Sequence, residues 1–146
     1  MAITSAICNS FKVEILTATH NFTASSGNTF NLALYTSSAT LNKSTTAYSS
    51  SNEISNTSGS AYSAKGNALT SVTPVLSSDT AVCDFANSSW TSASFTARGC
   101  LIFNDSASGD PAVCAIDFGG DKTVTSGTFT IEFPAASAGS AIIGIA

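Results

Sequence analysis

Phe30-Asn31-Leu32-Ala33-Leu34-Tyr35 sets Phe30, Leu32 and Leu34 in alternation with Asn31, Ala33 and Tyr35. A period of two is the pattern of a half-buried β-strand, because successive side chains point to opposite faces. The same period returns near the C-terminus, where Phe129, Ile131 and Phe133 alternate with Thr128, Thr130 and Glu132 before Pro134 stops the run. Between them, Leu69 to Val75, Thr80 to Phe85 and Trp90 to Asn104 read as further strands, the last being the longest and most central, with Gly99 marking a bulge. Pro74 lacks a backbone donor and puts its strand at a sheet edge. Ser78-Asp79 reads as a hairpin turn, Asn104 to Pro111 and Gly119-Gly120-Asp121 as further turns, and Ala141 to Ile145 as a last apolar strand. Gly66-Asn67 is another turn or bulge.

About eight short strands with turns at this spacing imply a mainly β fold, an antiparallel β-sandwich that is jelly-roll-like or a small barrel. The only helix expected is short and N-terminal, from Asn9 to His20. Asn9 or Ser10 supplies its cap, and Phe11, Ile15, Leu16 and Ala18 form its apolar stripe. The 146 residues suit one domain, 1–146, with 1–22 as an N-terminal arm or helix. The Ser/Thr-rich stretch Ser37 to Ser60 is the loosest segment expected. A faint echo links TAVCDFANSSWTSASFT (80–96) to PAVCAIDFGGDKTVTSGTFT (111–130). It reads as two hairpins using similar residues rather than as a duplication.

Charged residues make up 10% of the chain and the formal net charge is −4. Ser and Thr, roughly three residues in ten, solvate the surface in their place. Lys12, Lys43, Lys65, Arg98 and Lys122 are scattered singly, which disfavours binding of nucleic acid. No apolar run approaches the roughly 20 residues of a membrane span. The opening MAITSAICNSFKVEILTATH carries no early positive charge and has Glu14 interrupting its apolar residues, so it does not read as a secretory signal.

Few residues offer chemistry. His20 is the sole imidazole, and its place after the helix suits interaction with the helix dipole better than catalysis. Asp84 and Asp117 each stand near a Phe at a strand end and could suggest a carboxylate pair, but they read as turn-capping residues. Asn104, Asp105, Ser106, Ser108 and Asp110 offer hard oxygen ligands in one loop without EF-hand spacing, and a plain polar turn is expected rather than a calcium site. Cys8, Cys83, Cys100 and Cys114 have no zinc-module spacing and read as buried thiols, with a Cys83–Cys114 bridge as the alternative. Asn21 and Asn56 open chance Asn-x-Ser/Thr triplets. The expectation is no catalytic, cofactor-binding or metal site, and no enzyme. Tyr35, Tyr48 and Tyr62 are the candidates for an exposed aromatic platform should the domain bind carbohydrate.

SFKVEILTATHNF (10–22), NTFNLALYTSSATLNKSTTAY (28–48), NEISNTSGSAY (52–62), DFANSSWTSASFTARGCLIFN (84–104) and AIDFGGDKTVTSGTFTIEFP (115–134) together resemble a family of small proteins encoded by tailed bacteriophages. The pattern runs through nearly the whole chain in order. Departures are mild: Ser58-Gly59-Ser60-Ala61-Tyr62 stands where relatives tend to read GTGY, and Cys100 stands where Ala is common. The resemblance implies a virion component, most plausibly a capsid decoration or cement protein that stabilises the head. A tail, neck or fibre-associated component is the alternative, and a carbohydrate- or receptor-binding module is a third reading. It also implies the major capsid protein and copies of itself as partners, in a homo-oligomer such as a trimer. Its location would be the virion, assembled in the cytoplasm of the bacterial host. The apolar start and residues 1–22 would then serve subunit contacts.

Overall fold

Trp90, Leu101, Ile102 and Phe103 lie on the strand that anchors the fold. The computed structural model describes residues 2–55 and 59–146. Its elements in chain order are β1 (Ala6–Ile7), α1 (Asn9–Leu16), β2 (Phe30–Tyr35), β3 (Asn67–Ala68), β4 (Ser71–Ser77), β5 (Thr80–Phe85), β6 (Ser88–Asn104), β7 (Ala112–Ile131) and β8 (Ile143–Ile145). They form a five-stranded sheet in the order β1-β7-β6-β2-β3 and a three-stranded sheet in the order β4-β5-β8. All strand pairs are antiparallel. The protein is mainly β with one short helix near its N-terminus, in an arrangement consistent with a sandwich. Each sheet is open at its ends, so the small closed barrel is not the form taken.

Where the two sheets meet, an aromatic cluster fills the space. Phe22 stacks on Phe30 of β2 at 4.2 Å, and both rings approach Phe85 of β5, which also meets Phe133. Phe11 of α1 joins through Phe22 and His20. This face of the large sheet carries Phe30 and Leu32, with Ile102 paired across from Leu32. On the opposite face, Asn31 pairs with Phe103 and Ala33 with Leu101. The excursion after β2 covers that face. Tyr48 stacks on Phe103 at 4.7 Å, Tyr35 Oη donates to the Ser49 carbonyl, and Leu41 and Ile54 are buried.

This second cover corrects two expectations. All six residues of β2 are buried, not alternate ones. The strand lies inside a sheet covered on both faces, where burial loses its period of two. And most of Ser37–Ser60, expected to be loose, is folded down as that cover. Asn56, Thr57 and Ser58 of it lie outside the described residues, as does the Asn56 triplet.

The helix is shorter than expected and capped differently. Cys8, extended at φ −69° and ψ 138°, precedes it without a side-chain cap bond. Asn9 Oδ1 instead accepts from Lys12 Nζ, and Ser10 Oγ is buried with no partner among the described residues. Thr17 and Thr19 both direct their backbone N–H groups to the Glu14 carbonyl, and Ala18 takes φ 60°, which ends the helix at Leu16. Of the expected stripe only Phe11 is buried; Leu16 is 87% exposed.

Residues 2–22 are docked on their own domain. Thr4 N–H donates to the Leu41 carbonyl, Ala6 and Ile7 pair with β7, and Ile3, Cys8, Phe11 and Phe22 are buried. Ile3 and Cys8 of the apolar start are covered from within the chain. Gly99 is part of the reason: a Cβ there would collide with the Ile116 carbonyl and stand 2.8 Å from the Ile3 side chain.

β6 pairs with β7 from Ser88–Ile131 to Phe103–Ala112, and β7, at 20 residues against 17, is the longer strand. The turn expected at Gly119-Gly120-Asp121 is a bulge within β7. Gly99 pairs with Asp117 and Ala97 with Lys122, so four residues (118–121) stand opposite Arg98 alone. Gly119 takes φ +80° there, its N–H donating to Asp117 Oδ1. The local turn chemistry is present, but the long partner strand holds both sides in one ladder. Pro74 does lie on an edge strand, β4, whose register breaks between Val72 and Val75. Ser78-Asp79 does close the β4–β5 hairpin, Ser77 pairing with Thr80. The two AVC triplets fall in β5 and β7, in different sheets, so the echo marks no repeated unit.

Trp90 is 4% exposed among Tyr62, Phe95 and Phe129, with ring centroids at 5.9–6.3 Å. Trp90→Ala should cost about 3–5 kcal/mol by leaving a cavity. Urea unfolding measures it, and a loss below about 1 kcal/mol would place Trp90 outside the core.

Candidate functional site

Three polar clusters and two open grooves hold most of the residues able to do chemistry among those described. The first is built on His20, whose side chain is fully buried. Asn104, the last residue of β6, is also buried; its Oδ1 accepts the backbone N–H groups of Ser106 and Ala107, which fixes the orientation of its amide. Nδ2 must therefore donate, to His20 Nδ1 at 3.1 Å and to Asn28 Oδ1 at 3.1 Å. His20 then carries its proton on Nε2 and gives it to Glu14 Oε1 at 3.2 Å. Both ring nitrogens are engaged, tying α1, the segment after it and the end of β6 together. The expected dipole role is not what is found, because the helix ends four residues earlier and His20 turns into the core.

The second cluster surrounds Glu53. Its Oε2 accepts from Tyr48 Oη at 2.6 Å, and its Oε1 accepts from Tyr62 Oη and from the Lys65 backbone N–H, each at 2.7 Å. Tyr62 Oη in turn accepts the Leu34 N–H of β2. Burial first, then the Glu53 carboxylate, pushes the Tyr48 hydroxyl up to about 12 and Tyr62 higher still. Tyr35 is also raised, chiefly by burial. These tyrosines are neutral donors at any physiological pH. Tyr35 and Tyr62 are each 1% exposed and Tyr48 is half-buried, so they form no exposed aromatic platform.

Lys65 joins this cluster to the 104–110 loop. Its ammonium stands 2.8 Å from Asp105 Oδ1 and 2.9 Å from Asp110 Oδ2, over the rings of Tyr48 and Phe103. The hydrogen bonds to Asp105 and Asp110 raise its proton affinity. A lysine cation thus lies between the two carboxylates of the loop considered for calcium, while Asn104 turns inward to His20. Among the described residues no group of three or more His, Cys, Asp or Glu side chains is placed to hold a metal ion.

The third cluster straddles the β7 bulge. Arg98 Nε donates to Asp117 Oδ1 at 3.2 Å and its Nη1 lies 3.7 Å from Asp121. Asp84 is in the other sheet, where its carboxylate accepts the N–H of Phe85. The imagined carboxylate pair is therefore two separate backbone-capping groups. All four cysteines are free thiols; Cys8, Cys100 and Cys114 are buried and Cys83 is half-buried. Burial pushes Cys8 and Cys83 up to about 11 and Cys114 to about 12, and Cys100 rises as well.

The larger groove, about 510 Å³, is apolar along Ile116, Phe118, Phe129, Ile131 and Phe133, with Lys122 and Glu132 among its polar lining. A second, about 420 Å³, lies between the end of α1 and the small sheet, against Ile15, Phe22, Ala81, Cys83 and Ile145. Sequence reasoning gave Glu53 no role and counted Lys65 only among the scattered charges. Their only signal was isolation: single charges in a long Ser/Thr stretch, each with nearby tyrosines. Among the described residues no helix is long and apolar enough to cross a membrane. No family model, curated protein or solved structure matches the chain.

Glu53→Gln leaves one carbonyl oxygen for three donors and sets an N–H₂ against a neighbouring donor. It should cost about 1–3 kcal/mol, read as a lower urea midpoint with unchanged slope. An unchanged midpoint would show that the cluster contributes nothing. For the thiols, a pKa raised from 9.0 to about 11 leaves Cys83 about a hundredfold less thiolate at pH 8. Iodoacetamide should therefore label the folded protein far more slowly than the urea-unfolded chain, by mass spectrometry. Equal rates would contradict the burial described.

Proposed function

We propose that this chain is a non-enzymatic structural protein of a tailed-bacteriophage virion, a decoration or cement protein on the capsid. The resemblance of five consecutive segments to small phage proteins motivates the reading. The observation that carries it is the use made of the reactive side chains. His20, Glu53, Lys65, Asp105, Asp110, Arg98 and Asp117 each hold one part of the chain to another. A catalytic group must keep an atom free for substrate, whereas a coat component needs loops that stay closed. Sparse charge supports it too, since many copies can pack side by side with little mutual repulsion. The partners in this reading are the major capsid protein and further copies of the chain, and the location is the virion.

A tail, neck or fibre position draws on the same resemblance and differs in stoichiometry. Purified particles should carry on the order of hundreds of copies, in proportion to the major capsid protein, as repeated attachment at symmetry-related sites requires. Quantitative mass spectrometry of the particles reads the ratio. About a dozen copies or fewer per particle would reject decoration and favour the tail.

A further inference from the structure

The two edges of the small sheet are built differently. On β4, Pro74 removes a donor and the register breaks between Val72 and Val75. The Ala24 N–H binds Thr73 Oγ1 and the Ala138 N–H binds Ser77 Oγ, so other segments lie across that strand. These are the devices by which proteins keep an edge from pairing with another chain. β8, three residues long, has no proline, no register break and, among the described residues, no side chain bonded across it. Ile143-Gly144-Ile145 pairs with β5 on one side, and among the described residues no strand pairs with its other side. From Pro134 to Ala146 there is no charged side chain at all.

The surface beside this edge is apolar. Leu76, Ala81 and Ile145 pair in one row across the three strands. Leu76 is 72% and Ile145 54% exposed. The groove of about 420 Å³ continues from that row toward Ile15 and Phe22.

We propose that β8 is the seam of a two-fold dimer, in which β8 of a second copy adds antiparallel and centred on Gly144. A two-fold seam must be self-complementary, and Ile-Gly-Ile reads the same in both directions. Gly144 meets Gly144 of the second copy with no side chain between them, and Ile143 lies opposite Ile145 of that copy. The joint sheet runs β4-β5-β8-β8-β5-β4. Side-chain charge does not oppose this occupant: the chain carries −4, yet no side chain of the seam is charged, and antiparallel addition sends the two Asp79 turns to opposite ends of the sheet. A stable dimer buries about 800 Å² per partner. Three strand residues are too few for that, so the apolar row and the groove must be covered as well. The inference concerns self-association only and is independent of where the protein attaches; its failure would leave the decoration reading untouched.

Sedimentation equilibrium of the full chain should give twice the 14.7 kDa chain mass, and Ile145→Lys should give a monomer with unchanged circular dichroism. Leu16→Lys, at a more exposed position on α1, should remain dimeric. In the native protein, amide exchange at 143–145 should slow with rising concentration, a measurement that needs no variant. A monomer up to about 100 µM, the range of a weak interface, would overturn the proposal. So would a trimer, or a dimer whose 143–145 exchange is independent of concentration.

Discussion

The antiparallel pairing of β6 with β7 is the constraint on which the other elements depend. β1 and β3 are two residues each and cannot persist alone; they exist as additions to β7 and β2. β2 is held between β6 and the residues that close its outer side, where Ile54 donates to the Leu34 carbonyl and Tyr62 Oη receives the Leu34 N–H. Where the β6–β7 register shifts, between Trp90 and Ala93, Ala93 and Phe95, Ala97 and Gly99, and Ile102 and Phe103, the ribbon bends. That bending accompanies the packing of Trp90, Phe95 and Phe129 around one another. A straight ribbon of that length would leave its far half exposed.

With so few charges, most of them act as local fasteners. Glu53 gathers two phenols and a backbone amide, Lys65 bridges to Asp105 and Asp110, and Arg98 spans the bulge. Exposed ion pairs of this kind add little stability singly. Their use here is positional: they close the loops that the Ser/Thr-rich segments would otherwise leave unanchored. His20 follows the same economy, its two ring nitrogens bonded to Glu14 and Asn104.

Several elements were legible because their signals are local. Ser78-Asp79 closes a hairpin, Thr80–Phe85 is a strand to the residue, Pro74 lies on an edge, and Phe129 and Ile131 share the more buried side of β7, which ends before Phe133. Other readings failed where distant residues decide the outcome. Gly119-Gly120-Asp121 has turn composition, yet cross-strand bonds to β6 carry the strand through it. Leu16 belongs to an apolar stripe by spacing, yet the helix ends there and leaves it in water.

Composition and period by themselves determined that this chain is an antiparallel β protein with one short N-terminal helix, because those preferences act over a few residues. They also determined that its charges are too few and too scattered to form a basic surface. Only the tertiary structure decided that the Ser/Thr-rich excursion covers the second face of the large sheet, that the three tyrosines point inward, and that Glu53 and Lys65 are hubs. The physical reason is range: a hydrogen bond from the Leu34 N–H to Tyr62 Oη or from Asn104 to His20 joins residues 28 and 84 positions apart, and no local pattern records which partners folding will bring together.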